Sequence, residues 1–287
     1  MWSVLKSWLQ QFPLLVKCKR RIWSLFAPRQ GAAENRILFP LYRPHSAGYD
    51  EAKAVLTIQT INQIFPFLSS LSEAVHGKLL PVEDIASVPK TDLDRISARA
   101  LKERLDFHGS DKAISHNYHL LYGTILRDKD EIRNIFELGL GTNHTDIVST
   151  MGAGGKPGAS LRAFRDYCIN ASVYGADIDT RILFKENRIR TYFVDQTNPK
   201  TFGDLLAELP KAFDLVIDDG LHSPDANVES LRFGLGIVRK GGWVVIEDIA
   251  SEAISLWQVV AALLPKHYAP HLFNADAGIV FAVQRLE

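Results

Sequence analysis

From about residue 130 onward, short apolar runs alternate with stretches of helical periodicity. Residues 132–138, 172–177, 191–195, 213–219 and 242–247 are such runs, and most end in an acid or a glycine. Between them, apolar positions recur every three to four residues: Leu161, Phe164 and Cys168; Phe202, Leu205, Leu206 and Leu209; Val228, Leu231, Leu235 and Val238. Runs that short read as strands, and the longer period reads as helices with one apolar face. The alternation predicts an α/β fold: a Rossmann-like, mostly parallel sheet with helices on both faces. Residues 278–285 read as the last strand.

Upstream the pattern changes. Residues 46–104 read as a mainly helical accessory region. Ala54, Ile58, Ile61 and Ile64 mark one amphipathic face, and Phe65-Pro66 predicts its end, because proline cannot donate into the helix. Leu93, Ile96 and Leu101 predict a second helix. Residues 1–45 form a third region. Its first 33 residues carry Lys6, Lys17, Lys19, Arg20, Arg21 and Arg29, no acid, and the aromatics Trp2, Phe12 and Trp23 among others. A basic amphipathic segment of this kind suits peripheral membrane contact through residues 1–30. The favoured alternative is packing on its own domain or on the neighbouring copy in a homo-oligomer, or disorder. No apolar run approaches the ~18 residues of a spanning helix, and none forms the core of a secretory signal.

Composition narrows the functional classes. Lys+Arg and Asp+Glu both number 33, which speaks against a dedicated nucleic-acid binder. Cys18 and Cys168 lack metal-site spacing and predict no disulfide framework, as fits a cytoplasmic protein, soluble or held at the inner membrane face.

The chemistry collects at predicted strand ends, where parallel sheets bind ligands. Glu137-Leu-Gly-Leu-Gly141 closes the first strand with an acid and a glycine turn. Asp177 closes the second, a position suited to ribose hydroxyls. Asp195-Gln196 closes the third and offers an acceptor and a donor to an adenine edge. Each acid is equally readable as a cap or turn residue. A dinucleotide fingerprint is excluded, because His144 stands where its third glycine or alanine belongs. A P-loop is excluded too, since Gly155-Lys156 is followed by Pro157. A nucleoside ligand without a phosphate chain fits better. Asp219, Glu247 and Asp248 end the next two strands and can converge as three carboxylates, which call for a hard divalent cation, Mg²⁺ or Mn²⁺. His222, one turn past Asp219, is placed to act as a base. The plainer alternative makes these residues a turn, a helix cap and a surface histidine.

Taken in order, Glu137-x-Gly-x-Gly141, Gly175-Ala-Asp177, Asp195-Gln196 and Asp214-Leu-Val-Ile-Asp-Asp219 resemble the motifs of class I S-adenosylmethionine-dependent methyltransferases. Asp218-Asp-Gly-Leu-His222, Ile246-Glu-Asp248, residues 158–167 and Gly109-Ser-Asp-Lys112 with His116 and Tyr118 resemble the metal-dependent sugar O-methyltransferases of macrolide and polysaccharide pathways, the mycinamicin type. The resemblance covers residues 105–287. It implies a seven-stranded sheet with an antiparallel last strand, an S-adenosylmethionine donor, and methylation of a sugar hydroxyl on a small molecule or glycan. By that resemblance Glu137, Gly139, Gly141, Asp177, Asp195, Gln196 and Asp218 hold the donor. Asp219, Glu247 and Asp248 hold Mg²⁺, and His222 is the general base. Leu221 departs from the serine common in relatives. The turn over residues 152–158 reads as a lid or simply as a connection, with the lid preferred. Two other functions compete: a metal-independent methyltransferase, and a membrane-docked, non-catalytic nucleoside binder.

Overall fold

The computed structural model describes residues 50–287. The basic segment of residues 1–45, its expected membrane contact and Cys18 lie outside the described residues. The chain divides into two compact units, residues 1–64 and 65–287. Helix α1 (Asp50–His76) crosses that division and contains Pro66, where the sequence predicts a stop. One proline removes a single N–H donor, and the helix continues through it to His76. Ser70 Oγ also donates to the Pro66 carbonyl at 3.0 Å. No described helix is long and apolar enough to cross a membrane.

The second unit is built on a nine-stranded sheet. Its strands are β1 (Val82–Asp84), β2 (Asn134–Leu138), β3 (Ser172–Asp177), β4 (Lys185–Glu186), β5 (Ile189–Phe193), β6 (Phe213–Asp218), β7 (Val238–Ile249), β8 (Tyr268–Asn274) and β9 (Ile279–Arg285). The order is β1-β8-β9-β7-β6-β2-β3-β5-β4. The expected seven strands are the inner run from β8 to β5, and the short β1 and β4 extend its two edges. As expected, β9 runs antiparallel to both its neighbours. The pairings among β2, β3, β5, β6 and β7 are parallel, and β4 pairs antiparallel with β5. Residues 65–104, expected within the accessory region, supply β1 and most of helix α2 (Asp92–His108) to this same unit.

Five more helices follow: α3 (His119–Ile125), α4 (Ala159–Tyr167), α5 (Pro199–Leu206), α6 (Pro224–Ile237) and α7 (Ile254–Leu263). Ile135, Val173, Leu215 and Val245 join Leu105, Tyr122 and Phe164 in one buried cluster. Phe136, Ala176, Val216 and Val244 join Phe202, Leu231 and Trp257 in the other. Neighbouring strand residues thus point to opposite clusters, and both faces of the sheet are covered. That is why the central strands read as unbroken apolar runs.

The α2 stripe differs from expectation. Leu101 is buried, but Leu93 and Ile96 are exposed. The buried face runs through Asp94, Ser97, Ala98, Leu101 and Leu105. Asp94 is buried because it closes a capping box with Thr91 and accepts from Arg127, so polar residues disguise the stripe.

Candidate active site

Strand β2 lies between β3 and β6, so the chain leaves it toward one side of the sheet and returns on the other. A crevice opens at such a switch point. Here it is a cavity of about 660 Å³ at the carboxyl ends of the central strands. Gly139, Gly141, Asp177, Asp195, Gln196, Asp219, His222 and Asp248 all line it.

The glycine turn shapes one wall. Gly139 has φ 84°, and a Cβ there would stand 1.8 Å from the Asp219 carbonyl oxygen. Gly141 has φ 75°, and its Cβ would meet the Met151 sulfur at 2.6 Å. Only glycine tolerates both the backbone and the approach. Asp177 pins this turn: Leu140 N–H donates to Oδ2 at 2.7 Å and Asp179 N–H to Oδ1 at 2.8 Å. Burial raises the Asp177 pKa, against the pull of these hydrogen bonds.

The next two strand ends are more committed internally than the sequence suggests. Asp195 Oδ1 accepts from Thr197 N–H and Oγ1 at 2.9 and 2.7 Å, a turn closed on itself. Gln196 Nε2 donates to Asp218 at 2.7 Å and Ser230 at 2.8 Å, while its Oε1 accepts from Leu221 N–H at 2.8 Å. That amide braces the floor rather than presenting a free donor to a ligand.

Three expected site residues stand behind the cavity rather than on it. Asp218 is buried, its oxygens taken by Gln196, Gly220 and Asn227. Glu137 is buried under the glycine turn, where Ser160 Oγ donates to it at 2.8 Å. Glu247 is buried and accepts from the Tyr122 hydroxyl and from Lys112 Nζ.

Asp219, His222 and Asp248 do converge. One ligand atom from each lies within 4.8 Å of the others, and His222 Nε2 is 3.8 Å from both Asp219 Oδ1 and Asp248 Oδ2. Each acid spends its other oxygen on support. Asp219 Oδ2 accepts from Lys112 Nζ at 2.5 Å. Asp248 Oδ1 accepts from Tyr118 Oη at 2.5 Å and lies 3.3 Å from His116 Nδ1. His222 (φ 56°) and Asp248 (φ 53°) hold left-handed backbones without being glycine, a strain that concentrates at functional sites.

Charge at this end is balanced by residues whose role the sequence did not reveal. Lys112 is almost fully buried, with Glu137 at 3.1 Å and Asp219 and Glu247 at 2.5 Å. Burial pulls its pKa down, but the three carboxylates outweigh burial and hold it well above the lysine range. His116 is raised to about 10, first by Asp111 and then by Asp248. Burial pushes Asp248 up, yet His116 and Tyr118 bring it down to about 2. Lys112, His116, Tyr118 and Tyr122 all precede β2, outside any strand-end pattern. The only signal was the motif containing Lys112, His116 and Tyr118.

The turn over residues 152–158 does not line the cavity. Residues 146–151 line the cavity, whereas the turn after them is tied back by Gly158 N–H donating to the Leu140 carbonyl at 2.7 Å. Arg181 clasps the lining segment, reaching Asp146 at 2.9 Å and Asp179 at 2.6 Å.

No protein-family model matches the chain. Mycinamicin VI 2''-O-methyltransferase of Micromonospora griseorubida is 39% identical over 200 residues, covering 65% of this chain and 46% of that protein. The 8-demethyl-8-alpha-L-rhamnosyl tetracenomycin-C 2'-O-methyltransferase of Streptomyces olivaceus is 31% identical over 187 residues, covering 65% and 42%. The chain thus spans less than half the length of either relative. Among solved structures, MycE methyltransferase of the mycinamycin biosynthetic pathway, in complex with Mg and SAH, superposes with a TM-score of 0.51. The identity there is 22%, with 65% of this chain and 54% of that one covered. The chain has the fold of the class I S-adenosylmethionine-dependent methyltransferases, and its sequence relatives are sugar O-methyltransferases of the mycinamicin and tetracenomycin types.

Proposed function

We propose that this protein transfers a methyl group from S-adenosylmethionine to a sugar hydroxyl of a glycosylated small molecule or polysaccharide, with a divalent cation as cofactor. The observation that carries the reading is one cavity with a glycine turn and Asp177 at one end and Asp219, His222 and Asp248 at the other. The names of the sequence relatives supply the sugar hydroxyl as acceptor class.

The donor set suits a hard ion. Ligands about 2.1 Å from an octahedral ion lie about 3.0 Å apart when adjacent and about 4.2 Å when opposite. One ligand atom from each of Asp219, His222 and Asp248 lies within 4.8 Å of the others, close to that spread. Asp219 Oδ1 and Asp248 Oδ2 would hold the cation, with Glu247 behind Asp219. Such a cation lowers the pKa of a hydroxyl that it touches. The chain does the rest. His222 Nε2 accepts the hydroxyl proton, the oxygen lone pair forms the new C–O bond, and the C–S bond breaks to leave S-adenosylhomocysteine. The cavity walls align oxygen, methyl carbon and sulfur.

Lys112 already neutralises part of the acid cluster, which favours one second reading: metal-independent transfer with His222 as the base. Methyl transfer to rhamnosylated acceptors, assayed with EDTA and then with added Mg²⁺, separates the two. Loss and recovery support the metal-dependent reading, and unchanged turnover in EDTA rejects it.

A further inference from the structure

The acids at the cation end differ in how they face the cavity. Asp219 and Asp248 each turn one oxygen outward, while Glu137 and Glu247 turn none. What separates the two sets is Lys112. Its side chain reaches from the segment between α2 and α3 to a point among carboxylates from β2, β7 and the end of β6. Its Nζ donates to Asp219 Oδ2 and Glu247 Oε2, and the remaining direction faces Glu137 Oε1, a buried oxygen with no hydrogen bond of its own.

Three carboxylates this close are costly to desolvate unless a cation lies among them. The chain supplies that cation itself. Lys112 also joins the two ends of the site: Glu137, which accepts from Ser160 on α4, stands two residues before Gly139, and Asp219 belongs to the outer cluster.

We propose that Lys112 is a positioning residue, a built-in counter-ion that holds Glu137, Asp219 and Glu247 together before any metal arrives and confines a divalent cation to the outer oxygens of Asp219 and Asp248. The metal half of this statement rests on the proposed function, and the counter-ion half does not. Without the ammonium, the inner carboxylates would themselves draw a divalent cation, and a positive charge adjacent to the outer site would be gone. Lys112→Met should therefore weaken the metal-free fold and strengthen metal binding. A merely structural lysine would do only the first.

The test compares full-length wild type, Lys112→Met and Lys112→Met/Glu247→Gln. Melting is recorded in EDTA and in Mn²⁺, and Mn²⁺ affinity is measured by calorimetric titration. Lys112→Met is expected to melt roughly 10 °C lower in EDTA, as for breaking a buried ion pair in a domain of this size. It should regain more in Mn²⁺ than wild type does and bind Mn²⁺ about tenfold more tightly, for lack of the adjacent charge. The double variant, with one acid neutralised, should recover part of the loss in EDTA. It also decides the matter where Lys112→Met does not fold, since a double variant that recovers nothing overturns the proposal. Equal melting of Lys112→Met and wild type in EDTA overturns it as well, and so does a loss with unchanged Mn²⁺ affinity. A wild type that takes up no Mn²⁺ removes the metal reading and with it the confinement of the cation. The melting curves in EDTA then still decide the counter-ion.

Discussion

His222 concentrates the chemistry at the residue scale. Its left-handed backbone turns Nε2 toward both outer acids, and its Nδ1 is buried without a hydrogen-bond partner. A group so placed serves as a base, as a ligand, or as both. His222→Ala is expected to lower kcat by about 10²–10⁴, the usual worth of a general base, and a variant with normal turnover at pH 7 removes His222 from the reaction. Mn²⁺ affinity then divides the roles: unchanged binding leaves a base, and a large loss makes His222 a ligand. Asp179 carries a pH prediction. Hydrogen bonds from Arg181 hold its pKa below the ordinary 3.8, with Thr142 assisting against burial. A carboxylate lowered in the folded state adds stability above its unfolded pKa, and that stability is lost as pH falls below about 3.8. Asp179→Asn should melt lower than wild type at pH 7, with the gap closing in acid. A gap that stays constant from pH 7 down to pH 2 would show that this carboxylate contributes nothing through its charge.

Among the elements, the β2 turn tolerates least. Gly139→Ala would place a Cβ against the Asp219 carbonyl on a left-handed backbone, which alone costs about 1–2 kcal/mol. The variant should lose both thermal stability and S-adenosylhomocysteine binding in calorimetry, and retention of both would mean that the turn is not the donor wall. This element was legible in the sequence because a strand buried on both faces leaves an unbroken apolar run and ends where glycine and acid begin. Strand β3 was legible for the same reason. β8 was not: Pro270 and His271 interrupt it. Proline is tolerated there because β1 pairs only with Leu272–Asn274, so Pro270 lies past the covered stretch. The α2 face was hidden by buried Asp94 and Ser97, and the expected break at Pro66 by a helix that absorbs one missing donor. The site divides in the same way. Acids at strand ends follow from strand boundaries, and the outer cluster was readable to that extent. Which of those acids face the cavity depends on Lys112, Tyr118 and Tyr122, brought in from a segment distant in sequence. The expectation that a divalent cation balances the carboxylates did not anticipate a lysine among them.

For the whole molecule, strand order decides where the site lies. Placing β2 between β3 and β6 sets the glycine turn and an acid cluster on one cavity. Fold alone does not fix chemistry. The central claim is that this cavity seats the donor product beside a cation held by Asp219 and Asp248. Crystals grown with S-adenosylhomocysteine and Mn²⁺ test it directly. The account predicts the nucleoside against the glycine turn and Asp177, with an anomalous peak about 2.2 Å from the Asp219 and Asp248 carboxylates, the distance of a directly bound hard cation. Ligand density elsewhere, or an anomalous map with no peak at those two acids, would contradict it.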